Sequence, residues 1–312
     1  MKGTRILRGE RTASDPAAGA DRIREIVAAR ARDVLEARRR VLRRCDGEAI
    51  HDLRVATRRL QSTLEIAADR LPDRARRRLD RRARRIRRTL GEQRNAWVLL
   101  GLLRKFRSVP DRGERKFVAD LTRRLEHSAG SHTPKHRGRL PGIRKRVRAL
   151  LRVSANGPGG AAAPEGGAMR GLVQAILRAR ADARDGDAES MHRLRIAVKR
   201  YRYALEVLSE TGIPGLQPAI RAARSLQGDL GRLHDLDVLI EAVRRESRLP
   251  GATGFLRRIQ RLRSRQVEGT LRRLAGFRPV FALPGGGGVR PHRAGGKRGP
   301  FPRENQAGRT AA

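Results

Sequence analysis

His51-Asp52-Leu53-Arg54-Val55-Ala56-Thr57-Arg58-Arg59-Leu60 returns 141 residues later as His192-Arg193-Leu194-Arg195-Ile196-Ala197-Val198-Lys199-Arg200-Tyr201. The two copies run on to Leu64-Glu65 and to Leu205-Glu206. A second pair follows. Leu90-Gly91 with Arg94-Asn95-Ala96-Trp97-Val98-Leu99 matches Leu230-Gly231 with His234-Asp235-Leu236-Asp237-Val238-Leu239, now 140 residues apart. Two motifs kept in order at nearly constant separation mark an internal duplication. The chain reads as two copies of one helical module of about 130 residues, each with room for four or five helices.

The repeated stretch has the period of a helix. Leu53, Ala56, Leu60, Leu64 and Ala67 fall on one stripe at spacings of three and four, and Leu194, Ala197, Tyr201, Leu205 and Leu208 fall on the matching one. Those stripes are core. His51, Arg54 and Arg58 share a second face, about 100–160° round from the first at ~100° per residue. His192, Arg195 and Lys199 repeat it, and Arg202 extends it by a turn. Arg59 and Arg200 lie on the far side of the core stripe. The cations of the second face have no acidic partner at i±4 on that face, so something from outside must neutralise them.

Working outward, the apolar pattern predicts helices over roughly 20–70, 73–106, 113–127, 143–153, 168–184, 188–211, 216–247 and 252–276. No segment alternates at period two for long enough to make a strand, so the fold class is all-α. The breaks are the segment before about Pro16, the turn formers from His127 to Gly142, the stretch from Ser154 to Ala168, and the tail from Leu283. Residues 154–168 read as a linker between a first half, 20–153, and a second, 169–276. Residues 283–312 hold one acid, Glu304, and read as a disordered basic tail.

Composition narrows the function. The 312 residues carry 73 Lys plus Arg against 32 Asp plus Glu, a net charge of +41, and only seven of the cations are Lys. Aromatics are 3%, so the core must come from Leu, Ile, Val and Ala, which suits packed helices. Such charge calls for a polyanionic partner: nucleic acid, anionic lipid or another phosphate polymer. No run approaches the ~18 apolar residues of a spanning helix. Cys45 is the only cysteine, so no disulfide framework is expected. Residues 1–20 lack the apolar core of a signal peptide, which makes the cytoplasm the expected compartment.

Arg forks grip phosphate oxygens in pairs, Lys supplies a point charge, and His adds a donor set by pH. A row of these at helical spacing can hold successive phosphates of a linear polymer. Nucleic acid is the alternative, since a chain this basic binds it through counterion release, although aromatics for stacking are scarce and no groove-reading motif is present. A remoter alternative is a metal-dependent phosphohydrolase using His234 and Asp235. Asp235 and Asp237 point about 200° apart on their helix and cannot share a metal from one face. They fit better as supports that orient neighbouring Arg or His side chains, together with His234 and, in the first copy, Arg94. The first copy has Asn95 and Trp97 where the second has the two acids. No nucleophile with a paired base and no phosphate-cradling glycine loop stands out, so a binding protein without cofactor or metal is expected rather than an enzyme.

Over residues 20–276 the chain resembles the CHAD domain family, named for a histidine-containing α-helical domain. Both His-x-x-Arg-[Val/Ile]-x-x-[Arg/Lys]-Arg helices and both Leu-Gly…Val-Leu helices carry the likeness. The resemblance implies one domain made of two four-helix bundles related by a pseudo-twofold axis, and binding of inorganic polyphosphate in a basic pocket or channel. It implies association with polyphosphate granules. The family's phosphate-gripping positions fall on His51, Arg54, Arg58 and Arg59 in the first half and on His192, Arg195, Lys199, Arg200 and Arg202 in the second.

Overall fold

The computed structural model describes residues 16–44, 46–68, 71–140, 142–155 and 165–280; within helices it leaves the side chains of 16–21, 92–94, 128–139, 151, 153–155 and 165–168 undescribed. The expected tail, the middle of the expected linker and the N-terminal segment lie outside the described residues. Every regular element among those described is helical: α1 (Pro16–Arg43), α2 (Gly47–Ile66), α3 (Asp73–Thr89), α4 (Gly91–Arg104), α5 (Arg112–Arg139), α6 (Arg144–Ala155), α7 (Glu165–Asp182), α8 (Ala188–Glu210), α9 (Gln217–Arg245) and α10 (Ala252–Gly276). A short 3-10 turn, Ala183–Asp185, joins α7 to α8.

The repeated motifs open equivalent elements. The first copy lies in α2 and the second in α8. Each helix begins at an aspartate: Asp46 Oδ1 accepts from the Ala49 N–H at 2.7 Å, and Asp187 Oδ1 accepts from Glu189 and Ser190 at 3.0 Å each. An N-cap carboxylate satisfies backbone donors that the first turn leaves orphaned and sits at the positive end of the helix dipole. Asp46 is also why the segment expected over 20–70 is two helices.

Two further boundaries differ from the periodicity. The segment expected over 73–106 breaks at Leu90, between α3 and α4. The stretch from His127 to Gly142, expected as a break, continues α5 as far as Arg139; the chain turns only where Leu140 and Ile143 bury themselves in the first core.

Three apolar clusters hold the helices. One is built by α1, α2, α3 and α6 around Ile23, Val34, Leu53, Leu60, Ile86 and Leu150. Another is built by α7, α8, the first half of α9 and the end of α10 around Met169, Leu194, Tyr201, Leu205, Leu226 and Leu274. The third belongs to neither half alone: Leu103 and Phe117 of α4 and α5 pack on Leu239, Phe255 and Ile259 of α9 and α10. Phe255 is fully buried there, edge-on to Phe106 at 5.2 Å and tilted on Phe117 at 5.7 Å. The two motif helices, α2 and α8, also pack on each other. That contact places the site.

Candidate anion-binding cleft

Because α2 and α8 lie side by side with α3 beside α2, the flanks of their apolar stripes face a common cleft of about 470 Å³. Six cations line it: Arg58 from α2, Arg76, Arg84 and Arg87 from α3, and Lys199 and Arg200 from α8. Two carboxylates line it as well, and both already have partners. Asp80 pairs with Arg84 at 2.8 Å and accepts from Gln61; Glu65 accepts from Arg200.

Electrostatics identify the centre. Burial, and then the charges of Arg58, Arg195, Arg87 and Arg54, lower the Lys199 ammonium from its ordinary range to about 6. Burial followed by Arg58 and Arg84 brings Arg87 down to about 10. Arg54 reaches the same point from α2, donating from Nη1 to the Arg87 carbonyl at 2.8 Å, at the negative end of the α3 dipole. Residues from both halves thus converge on one space and repel one another there. An anion entering the cleft would remove that repulsion and restore the charge of Lys199.

The remaining residues singled out in the sequence spread over other places. His192 lies against His234 with ring centroids 5.0 Å apart and the rings tilted by 46°; burial, then Arg195 and Lys199, lower its pKa against the opposing pull of Asp237. Arg195 stands between His192 and Lys199 on the helix. Asp237 accepts from Arg263 of α10, whose Nη2 donates to the Gly186 carbonyl at 2.9 Å. Asp235 is half-buried on the same turn of α9. In the first half, His51 and Arg59 are exposed on α2 and outside the cleft lining, and Arg94 lies outside the residues whose side chains are described. Trp97, 38% exposed, stands where Asp237 stands in the other half and covers the start of α2, where a Cβ on Gly47 would meet its ring at 3.1 Å. Arg202 departs from the expectation that this face has no acid at i±4: it pairs with Glu206 at 2.8 Å, donates to Gln227 of α9 at 2.8 Å, and lies 4.3 Å over the Tyr203 ring. Those contacts direct it towards α9. Among the described residues no His, Cys, Asp and Glu side chains gather in a group of three that could hold a metal ion.

The chain matches the CHAD domain over residues 25–244, a span that takes in both motif helices and the whole cleft. It belongs to the CHAD domain family. Among solved structures it is similar to the CHAD domain from the plant Ricinus communis, at 24% identity and a TM-score of 0.68, with 90% of this chain and 100% of that chain covered. It is also similar to PptA from Streptomyces chartreusis, at 18% identity and a TM-score of 0.59, covering 82% of this chain and 98% of that one. At these identities the likeness is one of fold. No curated protein matches by sequence.

Arg87 and Arg84 of this CHAD domain were not singled out in the sequence, where the Arg-rich run from Arg74 to Arg88 gives no choice among its members. The available signal was position: Arg87 follows Ile86 and borders the stripe Leu79-Ala83-Ile86-Leu90, all four of which are buried.

Proposed function

We propose that this CHAD domain binds inorganic polyphosphate in the cleft between α2, α3 and α8, without catalysing a reaction on it, and that it does so in the cytoplasm at polyphosphate granules. The carrying observation is the convergence of Arg54, Arg58, Arg87, Arg195 and Lys199, from both halves, close enough that burial and then the four guanidinium charges bring Lys199 down to about 6. A chain of phosphates offers one negative charge after another at short intervals, which suits cations arrayed along helices. The family membership supports the same ligand. A nucleic acid would need something to read or stack on. The one aromatic ring in the cleft lining, Tyr203, is buried and carries Arg202 over its face.

Competition at physiological salt tests this. Labelled long-chain polyphosphate bound to the protein is challenged with excess duplex DNA and with RNA, for the parent and for a variant carrying Arg54→Ala, Arg58→Ala, Arg195→Ala and Lys199→Ala. Polyphosphate should survive the challenge. The variant should bind more than about 100-fold more weakly, since each charged contact is worth about 1.5 kcal/mol or more. Circular dichroism checks that the variant remains helical. Displacement by nucleic acid, together with parent-like binding by the variant, would refute the proposal.

A further inference from the structure

Beyond the cleft, α3 carries ten arginines and two aspartates in 17 residues. On its outer side, between α3 and α6, lies a cavity of about 490 Å³ lined by Arg78, Arg81, Arg82, Arg85, Arg88 and Arg146. Asp73 and Asp80 bond elsewhere, to Arg76 and Arg77 and to Arg84 and Gln61. None of the six guanidinia has an ion pair or hydrogen bond among the described residues. Six cations facing one space without an anion cost free energy in the isolated protein, and the same arrangement is a ready receptor for phosphate.

A further cavity, of about 580 Å³, lies between this one and the cleft, sharing wall residues with each. It is lined by Arg54, Arg84, Arg87, Arg88 and Asn95. It shares Arg84 and Arg87 with the cleft and Arg88 with the outer cavity. At about 100° per residue, Arg87, Arg84, Arg88, Arg81, Arg85 and Arg78 follow one another round the helix in steps of roughly 20–60°. The order is that of a path leading away from the cleft and round the solvent side of α3.

We infer that a bound phosphate polymer does not end in the cleft but continues past Arg88 into the six-arginine cavity, which gives the domain a second phosphate subsite and a preference for long chains. This rests on the reading of the cleft as a polyphosphate site. Chain length then has a physical basis: an oligomer that fills only the cleft leaves the outer guanidinia unneutralised, whereas a long chain reaches both without a second association step.

Salt dependence of binding separates the possibilities. Affinities for tripolyphosphate and for long-chain polyphosphate are measured across a salt series. The proteins are the parent, a track variant (Arg81→Gln, Arg82→Gln, Arg85→Gln) and a control of equal charge loss on the exposed face of α10 (Arg257→Gln, Arg261→Gln, Arg265→Gln). Each phosphate contact removed lowers the slope of log affinity against log salt by about one. For long chains the track variant should lose about three units of slope and the control less than one; for tripolyphosphate the track variant should lose less than one. Equal losses in the two variants overturn the inference, as does a track variant that holds long chains as the parent does. Loss of duplex DNA binding alone in the track variant also overturns it, by assigning the cavity to nucleic acid. If the parent binds neither polyphosphate, the reading of the cleft fails and takes this one with it; if the parent binds long chains and only the track variant is silent, the cleft reading stands.

Discussion

Lys199 shares its surroundings with charged and polar groups from three elements: Arg54 and Arg58 with Gln61 and Glu65 from α2, Arg76, Arg84, Arg87 and Asp80 from α3, and Arg195, Arg200 and Tyr203 along α8 itself. Burial first, and the guanidinia second, leave its amine with a pKa of about 6, so above neutrality most of it is uncharged. The sign of the linkage follows. The folded pKa lies below the unfolded value of about 10.4, so between about pH 6 and 10.4 the unfolded chain holds the extra proton. The penalty from this residue is complete below about pH 6 and fades as pH rises through that window. Bound phosphate reverses the shift by giving the ammonium a partner. Calorimetric titration with polyphosphate at pH 8, in two buffers of different ionisation enthalpy, should therefore show uptake of nearly one proton per cleft filled, absent in Lys199→Gln. His192, lowered from its own ordinary value, is neutral at that pH in the free protein. Uptake that is absent in the parent, or equal in the variant, would contradict the account.

At the scale of elements, the two site helices depend on their first turns. Asp46→Ala removes the acceptor for the Ala49 N–H and should cost about 1 kcal/mol, a fall of about 2–4 °C in melting temperature by circular dichroism. Asp187 does the same for α8, and its carboxyl is held below the usual range by the Ser190 hydroxyl and then by backbone donors. Its contribution is thus present above the ordinary carboxylate range and lost as pH falls through the lower folded value, so Asp187→Ala should matter at pH 7 and cease to matter in strong acid. These caps are local and can be read in sequence, as can the cationic faces of α2 and α8, because face periodicity needs no knowledge of neighbours. The break at Leu90 is different. Leu-Gly stands at 90–91 and at 230–231, yet the chain breaks at the first and α9 runs through the second. The second is held by a tertiary contact: Asp229, just before Leu230, is buried and paired with Arg232 and with Arg273 of α10, which packs along α9. The α10 contact exists only in the folded molecule, and so does the placing of α3 beside α2, which turns a position bordering the stripe into a wall of the cleft.

At the scale of the whole molecule, the first and second parts of the chain interlock rather than stand apart. Glu114 of α5 is buried and pairs with Arg258 of α10 at 2.6 Å, while Gly251, at φ +85°, brings the start of α10 against the Gly113 carbonyl where a Cβ would collide. Losing Arg258 leaves the buried Glu114 carboxylate without its partner, which ties the halves together in one geometry. Neither half closes the third apolar cluster alone, because α4 and α5 supply one side and α9 and α10 the other. The cleft is likewise formed by both, with Arg58 on one half and Lys199 on the other. Phe255, in contact with Phe106 and Phe117 across that boundary, is where a single truncation should be felt by both halves. Phe255→Ala should cost about 3–5 kcal/mol and lower the melting temperature by roughly 10 °C. Differential scanning calorimetry should still show one transition, with calorimetric and van't Hoff enthalpies in agreement. If the halves were independent bundles, the variant would melt in two steps, the α7–α10 half first and the α1–α6 half near the parent's temperature; that profile would show that the shared cluster does not couple them.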